Sequence, residues 1–175
     1  MISRAFGRRV LVSALLAVAG SVIAADDGLS EPRRLYDQGQ AAQALQQLNA
    51  YLTDKPRDAQ ARFLKGVILT ELNNPGDAIQ VFSALTQDFP ELPEPYNNLA
   101  VLYASQGQYE KAKTSLELAV RAHPGYATAH ENLGDIYAQL ALREYEKVTQ
   151  LDKSNQSVGP KLKLIKQMQG GGSGK

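Results

Sequence analysis

The sequence predicts an all-α fold, a solenoid of stacked helical hairpins. A turn-favouring residue recurs every thirty-four positions, at Gly39, Asn73 and Gly107. A small residue follows each of these, then a bulky residue, and a proline closes each period: Ala44, Ala78 and Ala112; Leu48, Phe82 and Leu116; Pro56, Pro90 and Pro124. A fixed period of this length is typical of helix-turn-helix units that bury their apolar faces only by stacking on one another.

The first 24 residues have the composition of a secretory signal peptide. Three arginines precede an uncharged, mostly apolar run from Val10 to Ala24, and Asp26 follows. This run is shorter than the roughly 20 apolar residues that span a bilayer. We therefore predict cleavage after Ala24 or Ala25 and export, to the periplasm of a bacterium. The alternative is an uncleaved segment that anchors the protein to the inner membrane.

Composition narrows the classes of function. The chain has no cysteine, which removes disulfides, thiolate catalysis and the commonest structural zinc sites. Loss of the signal-peptide arginines leaves 16 basic and 18 acidic residues, so nucleic acid is not the expected partner. The two histidines, His123 and His130, have no cysteine or convergent carboxylate pair to complete a metal or catalytic site. We predict no cofactor, no metal and no enzymatic activity.

The third period shows the hairpin pattern most clearly. Its first helix carries an apolar stripe at positions i, i+3, i+4 and i+7, and its second helix carries another stripe beyond Gly107. These stripes consist of Tyr96, Leu99, Ala100 and Tyr103, and of Tyr109, Ala112, Leu116 and Ala119. We expect the two helices to pack antiparallel, with the small residues allowing close approach. The tyrosines on repeat positions, including Tyr137, are predicted to be core residues.

The chain resembles the tetratricopeptide repeat family. Residues 96–103 and 107–112, with Leu116, Ala119 and Pro124, follow the family pattern at nearly every position. The period before them, 59–92, matches well, and the first has only a short first helix, from about Pro32 to Gln38. The resemblance implies a solenoid of about three hairpins within a domain spanning 25–169, followed by a flexible Gly/Ser tail, 170–175.

The fourth period departs from the pattern. The residues that match a second helix, Tyr145 and Val148, come about five residues too early. The missing residues are those that would form the turn between the two helices. We therefore predict one longer helix from Thr128 to Asp152 instead of a hairpin. A short capping helix follows, Val158 to Gln169, with three lysines on one side. Docking on the last apolar surface is the expected role of this helix, and contact with anionic lipid is the alternative.

In the resembled family, the first helices line a concave groove that binds an extended peptide or a partner helix. Transferred position by position, the partner-binding groove here comprises Phe63, Val67, Thr70, Glu71, Glu94, Asn97, Asn98, Val101, Ser105, Glu131, Asn132, Asp135 and Gln139. Asn98 and Asn132 match positions from which family members hydrogen-bond a peptide backbone. Their amides could equally serve only to cap or solvate helix faces.

Charge indicates which partner this groove would accept. Glu71, Glu94, Glu131 and Asp135 make the predicted groove acidic, which disfavours an acidic C-terminal tail. The sequence therefore predicts a non-catalytic adaptor of the bacterial cell envelope that binds a neutral or basic segment or a helix. The alternative is a homo-oligomeric scaffold that assembles through its terminal repeats, beginning with an apolar edge left by the incomplete first unit.

Overall fold

A computed structural model describes residues 28–170, which form eight α-helices and no β-strand. The helices are α1 (Ser30–Asp37), α2 (Ala41–Asp54), α3 (Ala59–Glu71), α4 (Pro75–Asp88), α5 (Pro93–Ser105), α6 (Tyr109–Ala122), α7 (Ala127–Leu151) and α8 (Val158–Gly170). Each helix packs against its neighbours along the chain. The all-α class and the arrangement in hairpins are confirmed. The predicted signal peptide and residues 171–175 lie outside the described residues.

The recurring turn residues end the first helix of each hairpin. Gly39, Asn73 and Gly107 have φ angles of 75°, 56° and 73°, in the left-handed region that glycine and asparagine tolerate. The equivalent residue in the fourth unit is Ala141, which stays helical. α7 therefore continues unbroken for 25 residues. The predicted long helix is confirmed, and the missing turn explains it.

Alternating large and small residues build the core. Ala44, Ala78 and Ala112 are fully buried beside equally buried large side chains of the second helices. Packing is especially close at Gly66, where an added Cβ would lie 2.6 Å from the Phe82 ring. Cores packed at this density tolerate little added volume. The thirty-four-residue period of the sequence therefore reflects a regular alternation of small and large side chains in the core.

One predicted core residue is not in the core. Tyr96, Tyr103 and Tyr109 pack against the apolar cluster between α5, α6 and α7, but the Tyr137 residue is 50% exposed. The prediction for Tyr137 is wrong because its burial requires a second helix folded back on α7, which the fourth unit lacks.

The last helix docks on the one before it. Val158 is buried, the Lys161 Nζ atom lies 5.4 Å from the centroid of the Tyr145 ring, and the Lys166 Nζ atom lies 3.1 Å from the Glu146 carboxylate. These contacts favour the docking interpretation of α8 over contact with lipid. None of the helices between residues 28 and 170 is long and apolar enough to cross a membrane.

Candidate functional site on the first helices

The first helices of the units form one continuous surface, which we call the first-helix face: α1, α3, α5 and the N-terminal half of α7. Side chains connect these helices directly. Arg33 Nη2 donates to Gln60 Oε1 over 2.9 Å between α1 and α3, and Asn132 Nδ2 donates to Asn97 Oδ1 over 2.8 Å between α7 and α5. Polar contacts thus link the first unit to the second and the third unit to the fourth, on the side where a groove is predicted.

Local capping fixes where the helices of this face begin. The Asp58 side chain accepts a hydrogen bond from the Ala61 backbone N–H over 2.9 Å, which caps α3, and another from the Tyr51 hydroxyl over 2.8 Å. α5 begins with Pro93, whose fixed φ suits the first turn of a helix. The register of the side chains on the face follows from these starting points.

Eight of the predicted groove residues reach the surface. Those that are exposed are Glu71, Ser105, Glu131 and Asp135, and those that are half-buried are Phe63, Thr70, Glu94 and Gln139. The Thr70 and Ser105 hydroxyls donate to carbonyl oxygens of their own helices, and Phe63 packs edge-on against Phe82 with ring centroids 5.6 Å apart. The side chains left to contact a ligand are therefore mainly carboxylates.

The structure places the other five predicted groove residues in the interior. Val67, Asn97, Asn98, Val101 and Asn132 are all at most 5% exposed. The Asn98 Nδ2 group donates to the Glu94 carbonyl oxygen over 2.9 Å, and the Asn132 Nδ2 group donates to Asn97 Oδ1. Both amides whose donors were predicted to reach a peptide thus use those donors inside the protein.

Two polar groups of this region are buried without a hydrogen-bond partner among the described residues: Asn97 Nδ2 and the Tyr126 hydroxyl. Burial, with the nearby Glu94 carboxylate as a further cause and the Thr128 hydroxyl acting against both, raises the pKa of Tyr126 to about 12. Transfer of groove positions missed Tyr126 because it precedes α7 and lies outside the first helices. Its position at the end of the third period, just before the helix, was the available signal.

The charged residues of the predicted groove are all negative. Glu71, Glu94, Glu131 and Asp135 form no ion pair with any basic side chain between residues 28 and 170. Partial burial of the carboxyl group and the neighbouring Glu131 raise the pKa of Asp135, although part of the residue is exposed.

Burial and the Glu71 carboxylate likewise raise the pKa of Tyr36, to about 12. Arg62 of α3 binds Asp88 on α4, with 2.6 Å between Nη1 and Oδ2. Its charge is therefore directed away from the first-helix face.

Other kinds of site find little support in the described part of the chain. It contains no cluster of three or more His, Cys, Asp or Glu residues that could hold a metal ion. An open cleft of about 330 Å³ lies between α2, α3 and α4 and is lined by Leu52, Pro56, Arg62, Lys65, Gln80, Val81 and Ala84. None of these is a predicted groove residue.

Exposed apolar side chains lie away from the first unit. Across residues 28–168, the large hydrophobic residues with substantial exposure are Leu72, Tyr137, Leu151, Leu164 and Met168. None belongs to α1 or α2, so the predicted apolar edge of the incomplete first unit does not occur among these residues. Four of the five lie on α7 and α8.

Comparison with known proteins places these features in a family. Two family models, both described as tetratricopeptide repeat, match residues 33–93 and 69–140. A chloroplast protein of Arabidopsis thaliana, tetratricopeptide repeat domain-containing protein PYG7, is 36% identical over 94 residues. These residues are 51% of this chain and 30% of the relative, so the chain spans less than a third of that protein's length.

Solved structures share the fold at low sequence identity. A crystal structure of MamA is 19% identical to this chain with a TM-score of 0.61, and the match covers 85% of this chain and 87% of that one. A crystal structure of TTC0263, a thermophilic TPR protein of Thermus thermophilus, is 21% identical with a TM-score of 0.61, over 84% of each chain. The first TPR of Spaghetti (RPAP3), bound to the HSP90 peptide SRMEEVD, is 15% identical with a TM-score of 0.60, over 63% of this chain and 88% of that one. With two family models spanning residues 33–140 and these structures sharing its fold, the chain belongs to the tetratricopeptide repeat family.

Proposed function

We propose that this protein is an exported, non-catalytic adaptor that binds a neutral or basic protein segment on its first-helix face. Tetratricopeptide repeats are protein–protein interaction modules, and the described residues are spent almost wholly on packing one such array. The bacterial cell envelope is the proposed location, based on the composition of residues 1–24.

The observation that carries the proposal is the set of unpaired carboxylates. Acidic residues such as Glu31, Glu110 and Glu146 have basic partners within 4 Å, but Glu71, Glu94, Glu131 and Asp135 have none among the described residues. The mutual repulsion of Glu131 and Asp135 is one cause of the raised pKa of Asp135. A lysine or arginine of a bound segment would relieve this repulsion, so a basic ligand is favoured and its association is accelerated.

The same charges argue against an acidic ligand. The peptide SRMEEVD in the RPAP3 structure contains three acidic residues. On this chain such a peptide would face carboxylates, and the Arg33 guanidinium of the face already donates to Gln60. Like-charge juxtaposition across an interface costs on the order of several kcal/mol.

Asn97 supplies a candidate polar contact beneath the carboxylates. A buried N–H without an acceptor costs about 1–3 kcal/mol. A carbonyl oxygen from a bound segment would satisfy this group after a small shift of the surrounding side chains. Asn97, itself a predicted groove residue, is therefore the amide of the face whose N–H group lacks an acceptor among residues 28–170.

Selection from a displayed library of short random peptides tests the proposal. We expect enrichment of lysine and arginine and depletion of aspartate and glutamate, together with binding that weakens as salt rises. Asp135→Asn and Glu131→Gln, singly and together, should reduce the enrichment stepwise. Asp54→Asn, which removes the same charge from the exposed end of α2, is the matched control and should leave the selected set unchanged. Selection of acidic peptides, or the same set from every variant, would contradict the proposal.

Export is tested separately. Fusion of residues 1–40 to alkaline phosphatase, which folds into its active form only after export, should give an active reporter. Mass spectrometry of the secreted full chain should then locate the new N-terminus after Ala24 or Ala25. An N-terminus still at Met1 on a membrane-bound protein would support the anchored alternative.

A further inference from the structure

The N-terminal half of α7 carries a largely uncovered stripe. We call it the first-helix stripe; it consists of His130, Leu133, Gly134 and Tyr137, thirty-four residues after Tyr96, Leu99, Ala100 and Tyr103. In the third unit, Tyr96, Ala100 and Tyr103 pack in one apolar cluster with Ala112 and Leu116 of the second helix α6. In α7, Leu133 packs against this same cluster, but His130, Gly134 and Tyr137 are exposed instead.

Gly134 shows how open this stripe is. An added Cβ at Gly134 would meet no atom within 4 Å, whereas at Gly66, the equivalent residue of the second unit, it would collide with the Phe82 ring. Phe82 belongs to the second helix of its hairpin. The stripe of α7 therefore has the residues of a hairpin's first helix without the side chain that packs on them.

The missing counterpart is present further along the same helix. The second-helix stripe consists of Ala138, Ala141, Tyr145 and Val148, twenty-nine residues after Tyr109, Ala112, Leu116 and Ala119 of α6. All four are half-buried and remain accessible in part. α7 thus holds both halves of a hairpin interface in series, and as a continuous helix it cannot fold one half onto the other.

Both stripes lie on the same side of α7. At 3.6 residues per turn, their mean directions differ by only about 50°. The carboxylates Glu131 and Asp135 of the first-helix face point about 130° away from the first-helix stripe. The stripes therefore form a single elongated surface, separate from the proposed ligand site.

We propose that two copies of this chain pair through antiparallel α7 helices, each first-helix stripe receiving the second-helix stripe of the other copy. In the hairpin register that sets Ala100 opposite Ala112, Gly134 would lie opposite Ala141 of the second copy. A two-fold axis then passes between Tyr137 and Ala138, and every contact is made twice. Such an exchange of equivalent elements between two copies is a low-cost route to a dimer.

α8 sets the strength of this pairing. It lies against the second-helix half of α7 through the Lys161 contact with Tyr145 and the exposed Lys166–Glu146 pair. Val158 of α8 is buried, but exposed ion pairs of this kind contribute little, and the four residues of the second-helix stripe stay partly accessible. α8 therefore competes for Tyr145 without closing the surface. The dimer is therefore concentration-dependent.

Sedimentation equilibrium of the full chain over a wide concentration range tests the pairing. We expect a reversible monomer–dimer equilibrium that Gly134→Leu weakens about tenfold or more, because overpacking a close helix contact is costly. In the single chain this side chain has open space, so circular dichroism should show an unchanged helix content. Gly76→Leu, at another helical glycine with open space, is the matched control and should leave dimerisation unchanged.

Cross-linking reports the register. The sequence contains no cysteine, so a single introduced thiol is unique. Ala138→Cys, beside the proposed axis, should form a covalent dimer with a short bis-maleimide, and Ala50→Cys, exposed on α2, should not. A chain that stays monomeric at all concentrations overturns the inference. So does a dimer that Gly134→Leu leaves intact, or one that cross-links at position 50 and not at 138.

Discussion

Two glycines at the same repeat position provide the sharpest test of how this array is packed. Gly66 and Gly134 lie in the interiors of α3 and α7, two repeat periods apart but with opposite surroundings: a Cβ at Gly66 would be 2.6 Å from the Phe82 ring, and one at Gly134 would touch nothing. The same substitution, Gly→Ala, should therefore change stability in opposite directions.

The magnitudes follow from the geometry. Alanine is better than glycine inside a helix by about 1 kcal/mol, and this gain applies at both positions. At Gly66 the contact with Phe82 is about 1 Å shorter than an ordinary carbon–carbon contact, and the ring is fully buried and cannot swing into solvent. Overpacking of this kind costs about 1–3 kcal/mol. Gly134→Ala should thus stabilise by about 1 kcal/mol, and Gly66→Ala should change stability by between about 0 and −2 kcal/mol.

Urea unfolding followed by far-ultraviolet circular dichroism measures both variants. The comparison belongs at low protein concentration, where self-association does not contribute, and it requires equal m-values because repeat arrays do not always unfold in one step. Gly76→Ala, a helical glycine of α4 with open space, serves as the control for propensity alone. If Gly66→Ala proved as stable as Gly134→Ala, the account of close packing in the second hairpin would be wrong.

Three further changes probe the turns, the buried amides and the buried tyrosine. Gly107→Ala should lower the free energy of unfolding by about 1–2 kcal/mol because φ is 73°, while Gly107→Asn should cost less, since Asn73 adopts 56° in the equivalent turn; urea titration compares them. A double-mutant cycle of Asn97→Ala and Asn132→Ala should give a coupling of about 1 kcal/mol for the hydrogen bond between them, and a value near zero would contradict it. Tyr126 has a pKa of about 12 in the folded protein against 10.0 ordinarily, so the unfolded chain loses this proton first and stability falls as pH rises from 10 to 12. Tyr126→Phe should make that fall shallower in thermal unfolding at alkaline pH, and an unchanged slope would show that the tyrosine does not titrate as the structure indicates.

The periodic residues predicted the architecture because each has a local physical role. Gly39 and Gly107 adopt left-handed backbone conformations that end a helix, and the recurring alanines allow helices to approach. A tolerated backbone conformation and a small side chain are properties of a single residue, so the sequence alone is enough to recognise them. The absence of a turn residue at Ala141 was sufficient for the same reason to predict the long α7.

Depth of burial could not be predicted in the same way. The pattern placed Asn98 and Asn132 on the correct helices, but it does not contain the distance between α5 and α7, which buries them. The predicted burial of Tyr137 was wrong for the opposite reason: its repeat position lies in the core only when the hairpin is complete. Tyr126 was missed because it lies in a connection, where no periodic pattern assigns a direction to the side chain.

Restoring the missing turn would test whether the open surface of α7 comes from the shortened fourth period. The two stripes of α7 are separated by five residues fewer than those of the third unit, where residues 104–108, Ala-Ser-Gln-Gly-Gln, join them. Insertion of this segment between Tyr137 and Ala138 recreates the thirty-four-residue period, including a glycine where the first helix must end.

The second-helix stripe should then fold back onto Gly134 and Tyr137 of its own chain, protecting their amides from hydrogen exchange and leaving no surface for a second copy. We expect this variant to be monomeric at concentrations where the native chain dimerises and to bind peptides on the first-helix face as before. An insertion variant that dimerises as strongly as the native chain would show that the association surface lies elsewhere on the protein.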